Sequence, residues 1–137
     1  MGGRKVKITA DTNILLRALV RDDAAQARAA SRILREAALI ALPLTCLCEL
    51  AWVLRRVYGL QRDEILLALE TVLEVENVSV NRAAADAGVA ALRAGGDFAD
   101  GVIAWDGAWL GGESFVSFDK RAVNVLKKQG IAARLLE

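Results

Sequence analysis

Histidine is absent from this chain of 137 residues, which contains only two cysteines and one proline. Without an imidazole, a Ser-His-Asp triad, a Cys-His pair and His-ligated zinc are all excluded. Cys46 and Cys48 lie two positions apart, with no further Cys or His to complete a metal site and a local geometry that disfavours a bridge between them. Any catalytic chemistry must therefore use other side chains.

An excess of one charge is also lacking, since 18 Lys and Arg face 17 Asp and Glu for a net charge of +1. No global positive field attracts nucleic acid, so a polyanion would have to bind locally. The longest apolar stretch, residues 37–54, contains Pro43 and Glu49, which favours a buried core over a membrane span. The first residues carry no apolar signal core. We expect a cytoplasmic protein without a membrane partner.

The length and the hydrophobic fraction of 55% fit one compact domain over residues 1–137. Apolar spacing alternates along the chain between the periods of strands and helices. Strands are predicted at 6–10, 39–42, 78–80, 114–118 and 132–136. Helices are predicted at 13–20, 24–38, 45–58, 62–74, 83–92, 98–105 and 121–128, with Thr45 capping the third. This alternation predicts a single three-layer α/β domain, a parallel sheet flanked by helices.

Two aspartates, Asp11 and Asp119, each follow an apolar strand directly and precede a helix. Ligands of open parallel sheets gather outside the carboxyl ends of the strands, which makes both residues candidates for a site. Aspartate is also a favoured N-cap residue, so either of them alone could be only a cap.

Glu49 lies in an otherwise apolar predicted helix, where residues 42–54 contain no second side chain that is charged at neutral pH. An isolated carboxylate in an apolar setting needs a cation or hydrogen-bond donors. A structural ion pair with Arg17, Arg55 or Arg56 is one explanation, and a metal or catalytic role is the one we favour.

Asp97 and Asp100 are three residues apart at the start of a predicted helix, on neighbouring positions of one face. Their like charges repel. Capping by Asp97 and the helix dipole would make Asp100 tolerable, whereas a divalent cation would remove the conflict.

Four of these carboxylates are brought to one end of the sheet by the predicted topology: Asp11, Glu49, Asp100 and Asp119. Ligation by oxygen alone suits Mg²⁺ or Mn²⁺, which keep several waters and bind substrate phosphates. In the absence of histidine, the metal itself would have to activate the attacking water. Such a site supports hydrolysis of a phosphodiester.

The ordered acidic motifs resemble those of the PIN-domain ribonucleases, and among them the small toxins of the VapC type. The motifs are Asp11-Thr12-Asn13, Glu49 in a helix after a strand and a proline, Asp97-Phe98-Ala99-Asp100 and Ser117-Phe118-Asp119. The resemblance covers nearly the whole chain. It departs at Gly101, where the family commonly has Ala, and at Ser117, where Thr is commoner.

The resemblance implies a sheet of about five parallel strands and Mg²⁺ or Mn²⁺ held by Asp11, Glu49, Asp100 and Asp119. Thr12, Asn13, Asp97 and Ser117 would support the site. It further implies an endoribonuclease that forms a homodimer and is silenced by a cognate antitoxin protein. We expect substrate contacts from local positive charge, with Arg17 and Lys120 as the candidates.

Two other functions remain open from the sequence. One is a phosphotransfer or phosphatase domain with Asp11 as nucleophile, although the haloacid-dehalogenase pattern requires an aspartate at the position of Asn13. The other is an RNA- or protein-binding module of the same fold without catalysis.

Overall fold

The computed structural model describes residues 6–137, in which seven helices alternate with five short strands. The strands are β1 (Lys7–Thr9), β2 (Leu39–Ala41), β3 (Val78–Ser79), β4 (Phe115–Ser117) and β5 (Ala133–Leu135). The helices are α1 (Thr12–Leu19), α2 (Ala24–Glu36), α3 (Leu44–Arg56), α4 (Arg62–Leu73), α5 (Arg82–Arg93), α6 (Phe98–Trp109) and α7 (Lys120–Lys128).

Every strand pairing among these residues is parallel, so the α/β class with helices connecting parallel strands is confirmed. The pairs fall into a three-stranded sheet in the order β1-β2-β3 and a two-stranded sheet of β4 and β5. The chain divides into two compact units, the first ending at Asn81 and the second covering Arg82–Glu137. The single domain over residues 1–137 stays a prediction.

The first unit is built around β2, which pairs with both of its neighbours. Ile40 lies opposite Ile8 on one side and Val78 on the other, and it is buried. Helix α1 packs against α2 and α3, and α3 packs against α4. Leucines of α3, among them Leu47 and Leu50, are fully buried. Burial of this apolar surface is the main force that holds the helices against one another.

The first unit also contains a polar network between the end of α1 and the residue that follows the α3 C-cap. Arg17 Nη1 donates to Asp22 Oδ1 at 2.8 Å and to the Tyr58 hydroxyl at 3.4 Å, while that hydroxyl donates to Asp22 Oδ2 at 3.1 Å. Hydrogen bonds to Asp22 and Tyr58 raise the pKa of Arg17. Loss of hydration alone would raise the pKa of Asp22, but the bonds from Tyr58 and Arg17 together lower it.

In the second unit, α5 and α6 approach so closely that glycine is required between them. A Cβ at Gly101 would overlap the carbonyl oxygen of Ala87 and come within 2.8 Å of the Ala91 Cβ. A Cβ at Gly88 would lie 2.5 Å from the ring of Phe98, which is fully buried. Gly101 occupies a position where the PIN-domain resemblance predicts alanine. The missing side chain permits contact between the two helix backbones.

The C-terminal half of α6 carries a pair of stacked indoles. The rings of Trp105 and Trp109 have centroids 6.0 Å apart and planes inclined by 4°. Their spacing of four residues places them on the same side of the helix, where such pairs meet. Trp109 is 77% exposed, so the pair lies at the surface.

Two helix boundaries differ from the prediction. Helix α3 begins at Leu44 with Pro43 as its N-cap residue, so the prediction that Thr45 caps it was wrong. Proline suits the start of a helix because its fixed φ is compatible with the first turn. Helix α6 continues to Trp109 instead of ending near Trp105, because a single glycine, Gly107, weakens a helix without ending it.

Within residues 6–137, none of the helices is long and apolar enough to cross a bilayer.

Candidate functional site

Asp11 lies directly after the buried Ala10, at the carboxyl end of β1, and is the N-cap of α1. Its Oδ1 accepts a hydrogen bond from the backbone N–H of Ile14 at 3.1 Å. The side chain is exposed, and its other oxygen accepts no hydrogen bond from residues 6–137. Thr12 is the one buried polar residue within this range, whereas Asn13 is exposed. The cap therefore fixes the carboxylate and leaves one of its oxygens available.

Glu49 lies on α3, the helix that packs against α1 in the same unit. Near the start of α3, the Cys46 thiol donates to the carbonyl oxygen of Ala10, with sulfur and oxygen 3.5 Å apart. This contact holds the beginning of α3 beside the residue that precedes Asp11. Burial raises the pKa of the neighbouring Cys48 thiol, which keeps that thiol protonated.

Glu49 is not the buried charge in need of compensation that its apolar neighbours predicted. Glu49 is exposed, and it belongs to an exposed stripe at helical spacing that also contains Thr45, Trp52 and Arg56. It forms no ion pair with any residue of the described range 6–137, including the arginines considered as partners. Hydration satisfies an exposed carboxylate, so its candidacy rests on its place in the acidic motifs and not on burial.

In the second unit, Asp97 is the N-cap residue of α6 and Asp100 lies in the first turn of that helix. Asp100 is half-buried, and its pKa is raised, first by the loss of hydration and then by the negative charges of Asp97 and Asp119. A hydrogen bond from the Asp97 backbone acts in the opposite direction and does not outweigh them. The fold therefore brings three of the predicted acidic residues into one electrostatic group.

Asp119 is the N-cap of α7, and its geometry is well defined. Its Oδ1 accepts from the backbone N–H groups of Arg121 and Ala122 at 3.0 and 3.1 Å. Its own N–H donates to the Ser117 Oγ at 2.9 Å. The serine hydroxyl, which we expected to support the site, thus fixes the turn that presents Asp119. As at Asp11, only one carboxylate oxygen is used by the cap.

The described residues contain no group of three or more His, Cys, Asp or Glu arranged to hold a metal ion. The acidic residues instead form two sets, each described within its own unit. Asp11 and Glu49 belong to the first, and Asp97, Asp100 and Asp119 belong to the second.

The two predicted substrate contacts have different surroundings. Arg17 is engaged by Asp22 and Tyr58, and its side chain is 28% exposed. Lys120, the first residue of α7, is exposed and forms no hydrogen bond or ion pair within residues 6–137. Of the two, Lys120 is the one whose charge is not already paired.

A family model of the PIN domain matches residues 8–128, which is most of the chain. The chain belongs to the PIN-domain family. PIN domains are generally nucleases, which are hydrolases, and they usually use divalent metal ions. The matched region includes every acidic residue that the sequence analysis selected, from Asp11 to Asp119. A comparison with curated protein sequences gave no match.

Sequence reasoning missed one feature of this PIN domain, the basic surface of α7. Helix α7 presents no acidic residue, and its exposed positions are all basic except for one asparagine. A signal was present, because residues 120–136 contain five Lys and Arg and no Asp or Glu. The balanced charge of the whole chain concealed it.

Proposed function

We propose that this protein is a metal-dependent endoribonuclease that hydrolyses RNA phosphodiester bonds. The observation that carries the proposal is Asp100 in a PIN domain: the carboxyl is half-buried, and its pKa is raised first by the loss of hydration and then by the charges of Asp97 and Asp119. Repulsion among these carboxylates has a cost that a purely structural role does not explain. A divalent cation bound between these carboxylates would relieve it.

The donor chemistry fits Mg²⁺ or Mn²⁺, since carboxylate oxygens are the protein ligands that these hard cations prefer. Mg²⁺ is usually bound through one or two carboxylates together with waters and phosphates. The lack of a three-residue group among residues 6–137 is therefore compatible with such an ion. Asp100 and Asp119 would hold it in the second unit, and Asp11 and Glu49 are the candidate ligands in the first.

When bound, the cation would supply activation of water and stabilisation of negative charge on the phosphate. The protein's own contribution is to fix the oxygens. Backbone N–H groups hold one oxygen of Asp11 and one of Asp119, which leaves the second oxygen of each for a ligand. The electrostatic effect of Asp97 on Asp100 adds to the attraction of this group for a cation.

We further propose that this nuclease is a toxin of the VapC type, paired with a cognate antitoxin, and that it acts as a homodimer in the cytoplasm. The support is the ordered set of acidic motifs with Thr12, Asn13 and Ser117 in the expected places. Co-expression with any small protein encoded next to it tests this pairing. A stable complex with suppressed cleavage would support the toxin assignment, and no complex would leave a nuclease without an antitoxin.

The decisive experiment for the nuclease is cleavage of a mixed pool of structured and single-stranded RNA with Mg²⁺ or Mn²⁺, beside an EDTA control. We expect cleavage that requires the metal and falls more than about a hundredfold in Asp100→Asn. The matched control is Asp106→Asn, which removes an exposed carboxylate from the same helix. It should cleave like the unmodified protein.

Two outcomes would contradict the proposal. Cleavage at the unmodified rate by a folded Asp100→Asn variant would remove Asp100 from the reaction. RNA binding that ignores EDTA and leads to no cleavage would favour the binding module. A covalent phosphate on Asp11 would instead revive the phosphotransfer alternative.

A further inference from the structure

Helix α7 is divided sharply between an apolar face and a basic one. Its buried residues are Ala122, Val123, Val125 and Leu126. Its exposed residues are Lys120, Arg121, Asn124, Lys127 and Lys128. We call the row formed by Lys120, Asn124, Lys127 and Lys128 the α7 basic stripe.

The stripe follows from helical geometry. Asn124 and Lys128 lie four and eight residues after Lys120, and Lys127 lies seven after it, so all four project from one side of the helix. With a rise of about 1.5 Å per residue, the stripe extends roughly 12 Å from Lys120 to Lys128. A shallow groove of about 410 Å³ runs along it, lined by Lys120, Arg121, Asn124, Val125 and Lys128.

None of the three lysine side chains has an ion-pair or hydrogen-bond partner within residues 6–137. Lys127 and Lys128 lie at the C-terminal end of α7, where the helix dipole stabilises positive charges. Lys120 lies at the opposite end, where the dipole disfavours a cation, so helix stability does not account for its charge. Arg121 differs, because its Nε donates to the carbonyl oxygen of Gly95 at 2.9 Å.

The position of the stripe relates it to the acidic group. It begins at the residue after Asp119, whose charge contributes to the raised pKa of Asp100. An RNA strand that approaches these carboxylates is repelled by them. Unpaired lysine side chains next to the carboxylates would offset that repulsion by binding the phosphates on either side of the reacting phosphate.

We propose that the α7 basic stripe binds the phosphate backbone of single-stranded RNA and leads it to Asp119. This inference rests on the proposed function for the identity of its ligand. The stripe contains no aromatic side chain for stacking on bases. It therefore contributes affinity that is the same for every sequence, and base preference must come from other residues.

The test measures binding of two labelled single-stranded RNAs, each of 20 nucleotides with different sequences, between 50 and 200 mM salt. All proteins carry Asp100→Asn so that cleavage does not interfere. The variant is Lys120→Gln/Lys127→Gln/Lys128→Gln. The matched control, Arg28→Gln/Arg32→Gln/Arg35→Gln, removes the same charge from the exposed surface of α2.

For the α7 variant we expect at least a tenfold loss of affinity at low salt, equal for both RNAs. The slope of log affinity against log salt should become shallower by about 2, at about 0.7 for each lost phosphate contact on a single strand. The control should keep the slope of the parent. Circular dichroism shows that each variant is folded.

Equal slopes for the α7 variant and its parent would overturn the inference, and so would an equal loss in the α2 control. Tighter binding of polyglutamate than of RNA would overturn it in favour of an acidic protein partner. Its failure is distinguishable from failure of the nuclease proposal. A protein that binds RNA through α7 and cuts none refutes only the nuclease, and one that cuts RNA without using α7 refutes only the stripe.

Discussion

The carboxylates of the two units lie in different surroundings. In the first unit, Asp11 and Glu49 are exposed to water, and Asp11 is held by a single backbone N–H. In the second unit, Asp100 is half-buried and feels the charges of Asp97 and Asp119. For Asp100, the loss of hydration and the neighbouring charges are a cost that arises within its own unit.

This difference separates two properties that a candidate active site combines. Exposed carboxylates are hydrated and cost little to keep, so the loss of one affects binding or catalysis more than folding. A half-buried carboxylate among like charges destabilises the folded state as well. Asp100 should therefore respond like Asp11 and Glu49 in assays of activity and differently from them in assays of stability.

The largest expected effect is a loss of RNA cleavage, and it tests whether the carboxylates of both units take part in one reaction. Asp11→Asn and Glu49→Gln should each lower RNA cleavage by more than about a hundredfold, as we expect for Asp100→Asn. Asparagine is as good an N-cap as aspartate, so Asp11→Asn should keep the stability of α1. Cleavage assays with thermal unfolding as the fold control check this. Unchanged cleavage in the first-unit variants would mean that the second unit acts without them.

The next effect concerns the close contact of α5 and α6. Gly101→Ala should destabilise the protein by about 1–3 kcal/mol, because its Cβ would overlap the backbone of Ala87 and force the helices apart. Gly107→Ala is the control on the same helix. With no atom within 4 Å, its Cβ fits, and it should stabilise by up to about 1 kcal/mol. Urea unfolding measures both. A stable Gly101→Ala would show that the two helices tolerate separation.

A smaller effect separates the two roles of Asp119. Asp119→Ala removes the acceptor of two backbone N–H groups and should cost about 1 kcal/mol, whereas Asp119→Asn keeps the cap. We expect both variants to lose cleavage. Chemical unfolding measures the capping role of Asp119, and RNA cleavage by the same samples measures its role in the reaction. An Asp119→Asn protein with full activity would reduce Asp119 to a cap.

The smallest effect is the dependence of stability on pH. Because the pKa of Asp100 is raised in the folded state, the folded protein binds this proton more tightly than the unfolded chain does. The free energy of unfolding should therefore fall as the pH rises from the ordinary aspartate range through the raised pKa. Asp100→Asn removes this fall and should stabilise the metal-free protein slightly at neutral pH.

Thermal unfolding between pH 3.5 and 7.5 in EDTA checks this, with Asp106→Asn as the control. The difference in stability between Asp100→Asn and the unmodified protein should grow with pH and then level off. Mg²⁺ should reverse its sign, because only the unmodified protein gains from binding the ion. A difference that stays constant over this range would contradict the repulsion assigned to Asp100.

Most helices and the positions of Asp11 and Asp119 could be predicted from the sequence because their signals are local. Asp11 and Asp119 lie where an apolar strand meets a helix, and both are N-caps at those junctions. The helical period placed each helix within a few residues. The extension of α6 past Trp105 was missed because an isolated glycine weakens a helix without ending it, and the helix ends before Gly111, whose φ is +105°.

Other features depend on which face of an element meets the core, and local signals do not decide this. Glu49 was expected to be buried because its neighbours are apolar. Thr45 and Arg56 lie four residues before it and seven after it, a polar spacing that identifies the exposed stripe, and Trp52 obscured that pattern. The close contact at Gly101 depends on two helices that the sequence does not show side by side.

The stacked indoles of Trp105 and Trp109 make α6 observable without a label. Indole rings with centroids 6.0 Å apart couple their strong electronic transitions, and this coupling is lost when the rings separate. The chain contains only one further tryptophan, Trp52, which belongs to the first unit. Melting of the helix that carries Asp100 can therefore be recorded optically, apart from the unfolding of the rest of the molecule.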